Sequence, residues 1–360
     1  MNYINSQLIT YLGNKRKLIN SIEEIVLQLK EEIDTTLFTT ADLFSGSGVV
    51  SRMLKQHSHK IIVNDLEYYS YVINKCFLTC AKDINIKDLH RVFNKLVIDI
   101  ELNKKPSWIT QHYSPANDQD IEEGERAFYT NYNALYLDTA RELIHKLEEP
   151  YKSLFLAPLL SEASKHCNTS GHFKSFYKDK SGIAKFGGEG ESSLHRITED
   201  ICVQIPILDA SYSQIEIHQR NTNDLVRELE HVNVIYLDPP YNQHPYASNY
   251  FMLNAIAKNE EPQQKSKVSG IPKDWNKSNY NKKSEARNAL KDCIEHCKAD
   301  YLIISYNNEG FISKEELKED LSLFGELTIK GIDYSAFKAS RNLKNRAKKV
   351  TEYLFILKKN

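Results

Sequence analysis

The apolar positions of this chain follow two different periods. Leu18, Ile22, Ile25, Val26 and Leu29 recur at the spacing of one helix face. That stripe follows a short glycine-containing loop, Tyr11-Leu12-Gly13-Asn14-Lys15-Arg16-Lys17. Thr39 to Phe44 then reads as a strand, Ser45-Gly46-Ser47-Gly48 as a turn, and Val49 to Leu54 as the start of a helix. Lys60-Ile61-Ile62-Val63-Asn64-Asp65 is a second short apolar run, ending in a carboxylate. Strand, turn, helix and strand in that order open a βαβ unit and a parallel sheet.

From about residue 85 to 165 the period is helical, with Leu89, Val92, Phe93, Leu96, Val97 and Ile100 on one face. Strand patterns return at Gln214–His218 and Val232–Leu237. More follow at Tyr301–Ser305, Leu327–Ile332 and Glu352–Leu357. The gap between the last two is too short for a crossover helix, so they are expected to pair antiparallel. The chain thus reads as α/β, a Rossmann-like sheet of seven mixed strands. The expected division is a sheet domain of residues 1–95 and 210–360, with an inserted, mainly helical domain at 96–209. The polar run from Asn259 to Lys283 reads as a loop or lid.

Composition narrows the class. The 360 residues are 41% hydrophobic and 26% charged, which excludes a mostly disordered chain. No apolar run approaches the roughly 20 residues that span a bilayer, and the N-terminus lacks the basic-then-apolar pattern of a secretory signal. A cytoplasmic monomer is expected. The six cysteines are too few for a disulfide scaffold in a chain of this size. Cys76/Cys80 and Cys293/Cys297 fall four apart on predicted helices. His296 beside the second pair hints at zinc, but a structural site needs about four ligands. Buried free thiols are expected, and no metal.

The formal net charge is -1, so any nucleic-acid binding must rest on segregated charge. Three basic stretches stand out. One is the segment 165–186, with Lys174, Lys178 and Lys185 among aromatic residues. The second is the loop with Lys265, Lys267, Lys273, Lys277, Lys282 and Lys283, interleaved with Trp275 and Tyr280. The third is Lys338, Arg341, Lys344, Arg346, Lys348 and Lys349. Five of the 13 glycines lie between Gly171 and Gly190, so that segment is expected to be an exposed, partly mobile surface.

The candidate chemistry sits where strands end. Glycines after a strand let a backbone approach a ligand, and helix N-termini attract negative groups. Ser51 breaks the dinucleotide pattern Gly-x-Gly-x-x-Gly. A tight turn alone explains such glycines equally well. Asp65, ending the next strand, is placed to accept bonds from a ribose diol; a surface carboxylate or helix cap is the plainer alternative. Asp238-Pro239-Pro240-Tyr241 is the strongest signal. Two prolines directly after a buried strand fix a rigid turn. A carboxylate before them and a ring after them suit an exocyclic amine and the base that carries it.

Taken in order, Tyr11 to Arg16, Asp42 to Gly48, Asn64-Asp65 and Asp238 to Tyr241 resemble the Dam-like alpha group of DNA adenine methyltransferases, most closely those of type II restriction-modification systems. The resemblance implies S-adenosyl-L-methionine as cofactor. It implies contacts to it from Tyr11, Lys15, Asp42, Phe44, Gly46, Gly48, Asp65 and Asp238, and from Asp224 to its adenine. It implies catalysis by Asp238, Pro239, Pro240 and Tyr241 on the 6-amino group of a flipped-out adenine. Double-stranded DNA is then the partner, with Lys174, Lys178, Lys185, Lys277, Lys282, Arg341 and Lys344 as phosphate contacts and a restriction endonuclease as functional counterpart. Asn14 stands where many relatives have glycine. The insertion matches only at Gly171-His172-Phe173, so no target sequence is implied.

The residues leave alternatives open. The same chemistry on RNA adenine fits the motifs. Amino methylation of cytosine usually starts its motif with serine, against Asp238. Methylation at cytosine carbon 5 needs a cysteine nucleophile, typically after proline, and no proline here precedes a cysteine. A DNA-binding module without catalysis would be expected to have lost Asp238 or Tyr241. A nicotinamide dehydrogenase is disfavoured by Ser51.

Overall fold

A computed structural model describes residues 3–191, 193–335 and 349–360. The strands are β1 (Thr39–Asp42), β2 (Lys60–Asn64), β3 (Gln214–His218), β4 (Val232–Leu237), β5 (Ala299–Asn307), β6 (Gly325–Ser335) and β7 (Lys349–Lys359). The helices of the first half are α1 (Ile19–Ile33), α2 (Val49–His57), α3 (Tyr68–Phe77), α4 (Ile86–Leu102), α5 (Trp108–Tyr113), α6 (Asn131–His145) and α7 (Tyr151–Lys165). Those of the second half are α8 (Leu194–Thr198), α9 (Thr222–Glu228), α10 (Tyr246–Asn249), α11 (Phe251–Lys258), α12 (Ala286–His296) and α13 (Lys314–Leu321).

The chain forms two compact units. The sheet unit holds residues 14–74, 211–245 and 276–360, and the helical unit holds 1–13, 75–210 and 246–275. These bounds differ from the expected 95/96 and 209/210. Residues 75–95 and 246–275 count with the helices, because α4, α10 and α11 have their partners there: α4 packs on α6, and α11 on α7.

In the sheet unit all seven strands form one sheet, in the order β3-β2-β1-β4-β5-β7-β6. The five on the β3 side run parallel. β7 runs antiparallel to both β5 and β6. The expected antiparallel pairing of the last two strands is present, and β7 lies inside the sheet. Parallel strands covered on both faces read as continuous apolar runs, and β4 and β5 are buried along nearly their whole length. Leu43, Ile62, Leu237, Leu302, Ile304 and Phe355 join one core with residues of α9, α12 and α13. The predicted stripe of α1 is buried at Ile22, Ile25, Val26 and Leu29. α13 carries a capping box, with Ser313 and Glu316 each bonding the other's backbone.

The chain reverses its winding between β1 and β4. Open α/β sheets bind ligands at such a switch point, at the carboxyl ends of the strands. The ladder pairs Asp42 with Tyr236, so the glycine turn and the Asp-Pro-Pro turn leave the sheet side by side.

The helical unit is held by an aromatic core. Phe128 sits within ring-packing distance of Tyr113, Phe173, Phe176 and Phe251. The glycine-rich stretch 171–190, expected as an exposed, partly mobile surface, is partly buried in this unit, together with the residues just before it. Phe173 and Phe176 are buried, as are His166, Cys167, Asn168 and Thr169. The Asn168 side chain donates to the carbonyls of Ala127 (2.8 Å) and Lys185 (3.3 Å) and accepts from the Gly187 amide (3.0 Å). The glycines serve turns: Gly182, Gly187 and Gly188 have positive φ. Composition signalled a loop, but one side chain satisfying three backbone groups anchors it.

Cys76, Cys80, Cys293 and Cys297 are buried free thiols, though Cys80 and Cys297 lie just beyond their helices; Cys202 is exposed. Among the described residues no group of three or more His, Cys, Asp or Glu side chains could hold a metal ion, and no helix is long and apolar enough to cross a membrane.

Candidate active site

In the sheet unit the glycine turn is locked by its neighbours. Gly46 and Gly48 have φ of 49° and 75°, a region L side chains avoid. A Cβ on Gly48 would also lie 2.8 Å from Asn74 Oδ1. The Gly48 amide donates to Ser45 O at 2.7 Å, which closes the turn into α2. The Gly46 amide donates to Asp65 Oδ2 at 2.7 Å, and the Glu67 amide donates to Asp65 Oδ1 at 2.8 Å. Asp65 therefore ties the end of β2 to the glycine turn.

Asp42, the last residue of β1, is buried. Its Oδ2 accepts from Ser51 Oγ at 2.6 Å, while Oδ1 has no hydrogen-bond partner. An unsatisfied buried carboxylate oxygen is costly. Burial, opposed by the Ser51 bond and reinforced by Asp238 and Asp65, pushes this carboxyl up to about 7. A cationic group is the partner that would satisfy it. Phe44 packs edge-on against Tyr280 at 5.1 Å.

The Asp-Pro-Pro turn follows β4. Pro239 is buried, and Tyr241 is half-buried with its ring edge-on to Tyr306 at 6.0 Å. The Tyr241 carbonyl accepts from the Phe311 amide at 3.0 Å. Lys15, only 4% exposed, puts its Nζ 2.9 Å from Asp238 Oδ1 and 3.0 Å from Glu352 Oε1. Lysines are almost never buried without such partners. Burial works against the ammonium, but Asp238 and Glu352 hold it well above the usual lysine range. Burial also raises Asp238; Lys15 opposes this, Glu352 adds to it, and the carboxyl stands at about 6.

The sheet unit thus gathers Lys15, Asp42, Phe44, Gly46, Gly48, Asp65, Asp238, Pro239, Pro240 and Tyr241. Tyr11 belongs to the helical unit, stacked on Tyr246 at 4.9 Å and Tyr250 at 5.0 Å. Asp224 is exposed in the first turn of α9, with Arg220 and Arg227 as its charged neighbours. Lys174 and Lys185 are half-buried, while Lys178, Lys277 and Lys282 are exposed. Lys178 lies over the Phe176 ring and Lys282 pairs with Glu285. Arg341 and Lys344, like most of the third basic run, fall outside the described residues. Sequence reasoning missed Glu352 and Ser51. The signal for Glu352 was a carboxylate opening an otherwise apolar strand.

Residues 11–319 match the family of D12 class N6 adenine-specific DNA methyltransferases. The chain is 29% identical over 359 residues to type II methyltransferase M.NlaIII of Neisseria lactamica, covering 97% of this chain and 99% of that one. It is 29% identical over 354 residues to type II methyltransferase M.CviAII of Paramecium bursaria Chlorella virus 1, covering 97% and 98%. It matches modification methylase StsI of Streptococcus sanguinis at 29% over 376 residues, 97% of this chain but 52% of that enzyme. With residues 11–319 matched, this chain belongs to the D12 class N6 adenine-specific DNA methyltransferases.

Proposed function

We propose that this enzyme methylates adenine within a short duplex sequence, with S-adenosyl-L-methionine as donor and Asp238, Pro239, Pro240 and Tyr241 as the catalytic turn. The observation that carries the reading is the buried Lys15–Asp238 pair one strand away from the unsatisfied Asp42 oxygen. The donor set fits the cofactor. Asp42 Oδ1 suits its ammonium group, Asp65 its ribose hydroxyls, and the glycine turn gives close approach. Asp224 is the candidate for its adenine end. When bound, the cofactor supplies an electrophilic methyl group on a sulfonium.

The chain's own residues do the rest. The adenine amine is a poor nucleophile because its lone pair is delocalised into the ring. Hydrogen bonds from that amine to Asp238 and to the Pro239 carbonyl favour a localised lone pair as positive charge develops. Catalysis here is mainly positioning. A base within a duplex cannot reach such a turn, so it flips out and stacks on Tyr241, worth about 1–3 kcal/mol by analogy with other aromatic stacking. Residues of the insertion and the exposed lysines are proposed to read and grip the duplex. Protection against a partner endonuclease is the proposed biological role.

The test is transfer of labelled methyl groups to duplex DNA, followed by nucleoside analysis. Wild-type enzyme yields N6-methyladenine. Asp238→Ala yields none yet still binds DNA, because transition-state contacts are separable from phosphate contacts. Turnover of Asp238→Ala at the wild-type rate would overturn the assignment.

A further inference from the structure

Glu352 lies on β7, with 1% of its surface exposed. Its Oε1 stands 3.0 Å from Lys15 Nζ and accepts from Ser305 Oγ at 2.6 Å. In the β5–β7 ladder Glu352 pairs with Asn307, and Ser305 comes two residues earlier on β5. A buried acid here is expensive unless its charge is used. A single ion pair between Lys15 and Asp238 would be neutral. With Glu352 the three side chains are one ammonium and two carboxylates, which sum among themselves to one negative charge.

That residual charge has a use in the proposed reaction. The amine becomes more positive as its new bond forms, and a neutral pair would gain little from that change. A site that stays negative stabilises the transition state more than the ground state. Lys15 occupies Asp238 Oδ1, and Oδ2 is the remaining oxygen of that carboxyl for the amine. We propose that Glu352 is a positioning residue for Asp238: by sharing the Lys15 ammonium it fixes the carboxylate and keeps the site anionic. The proposal rests on Asp238 being the group that receives the adenine amine.

The groups facing Asp238 come from several elements: Lys15 from the N-terminal loop, Glu352 from β7, Tyr236 from β4, Tyr241 from the catalytic turn and Asp42 from β1. Glu352 is the acid among them that ion-pairs with the same ammonium. Removing its charge lowers the apparent value of Asp238.

The experiment compares wild type, Glu352→Gln, Glu352→Asp and Asp238→Asn in steady-state methylation of duplex DNA as a function of pH. For Glu352→Gln we expect kcat to fall roughly ten- to hundredfold, with the KM for DNA changed by less than about twofold. The acid limb of its kcat profile moves to lower pH, because more acid is needed to protonate Asp238 once the like charge is gone. Glu352→Asp, which keeps the charge, recovers most of kcat. Carbon-13 carboxyl NMR of Asp238 in wild type and in Glu352→Gln reads the same downward shift without turnover. A Glu352→Gln enzyme with wild-type kcat overturns the proposal, and so does an unmoved Asp238 titration. If Asp238→Asn also turns over normally, the catalytic reading fails. If Asp238→Asn is dead while Glu352→Gln is normal, only the role of Glu352 fails.

Discussion

The backbone amide of Gly46 donates to the carboxylate of Asp65, joining the turn after β1 to the end of β2. The bond spans 2.7 Å and replaces the dipole interaction that an empty turn would leave to water. Two strand ends are therefore set in register before any ligand arrives. Substitutions that disturb either partner should weaken cofactor binding before they weaken DNA binding. Gly48→Ala is the sharper test, since its φ is 75° and the added Cβ meets Asn74 at 2.8 Å. We expect a stability loss of about 1–3 kcal/mol by urea titration, and a cofactor affinity lowered by more than tenfold in calorimetry. An unchanged affinity would contradict the role given to the turn.

Asp42 gives a pH prediction. Its folded value stands near 7, above its ordinary value of 3.8. The folded state thus holds this proton more tightly than the unfolded chain, so its contribution to stability is present below about pH 4 and is lost as pH rises toward 7. Asp238 and Asp65 are raised as well and act in the same sense. Asp42→Asn should flatten part of that decline and raise the melting temperature of the ligand-free enzyme at neutral pH. A cationic ligand group placed against Asp42 should expel the proton. Calorimetry of S-adenosylmethionine binding at about pH 6, in buffers of different ionisation enthalpy, should show proton release in the wild type and less in Asp42→Asn. Equal release in both would remove Asp42 from the cofactor site.

Asn168 tests the segment that composition misrepresents. Its side chain satisfies Ala127, Lys185 and Gly187 at once. Asn168→Ala leaves the Ala127 carbonyl and the Gly187 amide short of a partner, at about 1–3 kcal/mol each if they stay dry, while the Lys185 carbonyl keeps the Gly188 amide at 3.1 Å. We expect limited proteolysis to cut within 170–190 in the variant much faster than in the wild type. Similar cutting rates would mean that the segment does not depend on this anchor.

The lysines are tested by salt. Lys178 and Lys277 are exposed. If each contacts a phosphate, alanine at either position should reduce the slope of log K against log salt by about 1 and weaken all duplexes alike. A slope equal to the wild type's would exclude that lysine from the interface.

Much of the fold was legible because parallel strands are written as short apolar runs. Thr39, Lys60, Gln214 and Val232 each begin a strand where the pattern put one. The turns at the strand ends were legible for a related reason: glycines and prolines are constrained by local backbone geometry, as Gly48 is with its positive φ. Pairings between distant segments were not. Glu352 reads as one polar residue in a strand, and only the fold puts it beside Lys15. The burial within 171–190 was missed because its glycines and lysines read as a loop, while Phe173 and Phe176, with Asn168 just before them, are buried. The unit boundary near residue 75 was missed because α3 runs across it without a break in helical pattern.

The position of β7 also sets an order of events during synthesis. It leaves the ribosome after β5 and β6, yet it lies between them and not at an edge. Until it emerges, β6 has no neighbour in the sheet, β5 has one open side, and Lys15 faces Asp238 without its second carboxylate. Domains tend to fold from the N-terminus as they are made, and this sheet can begin that way. If Glu352 has the proposed role, a nascent chain that has folded its first five strands still lacks the second carboxylate at Lys15.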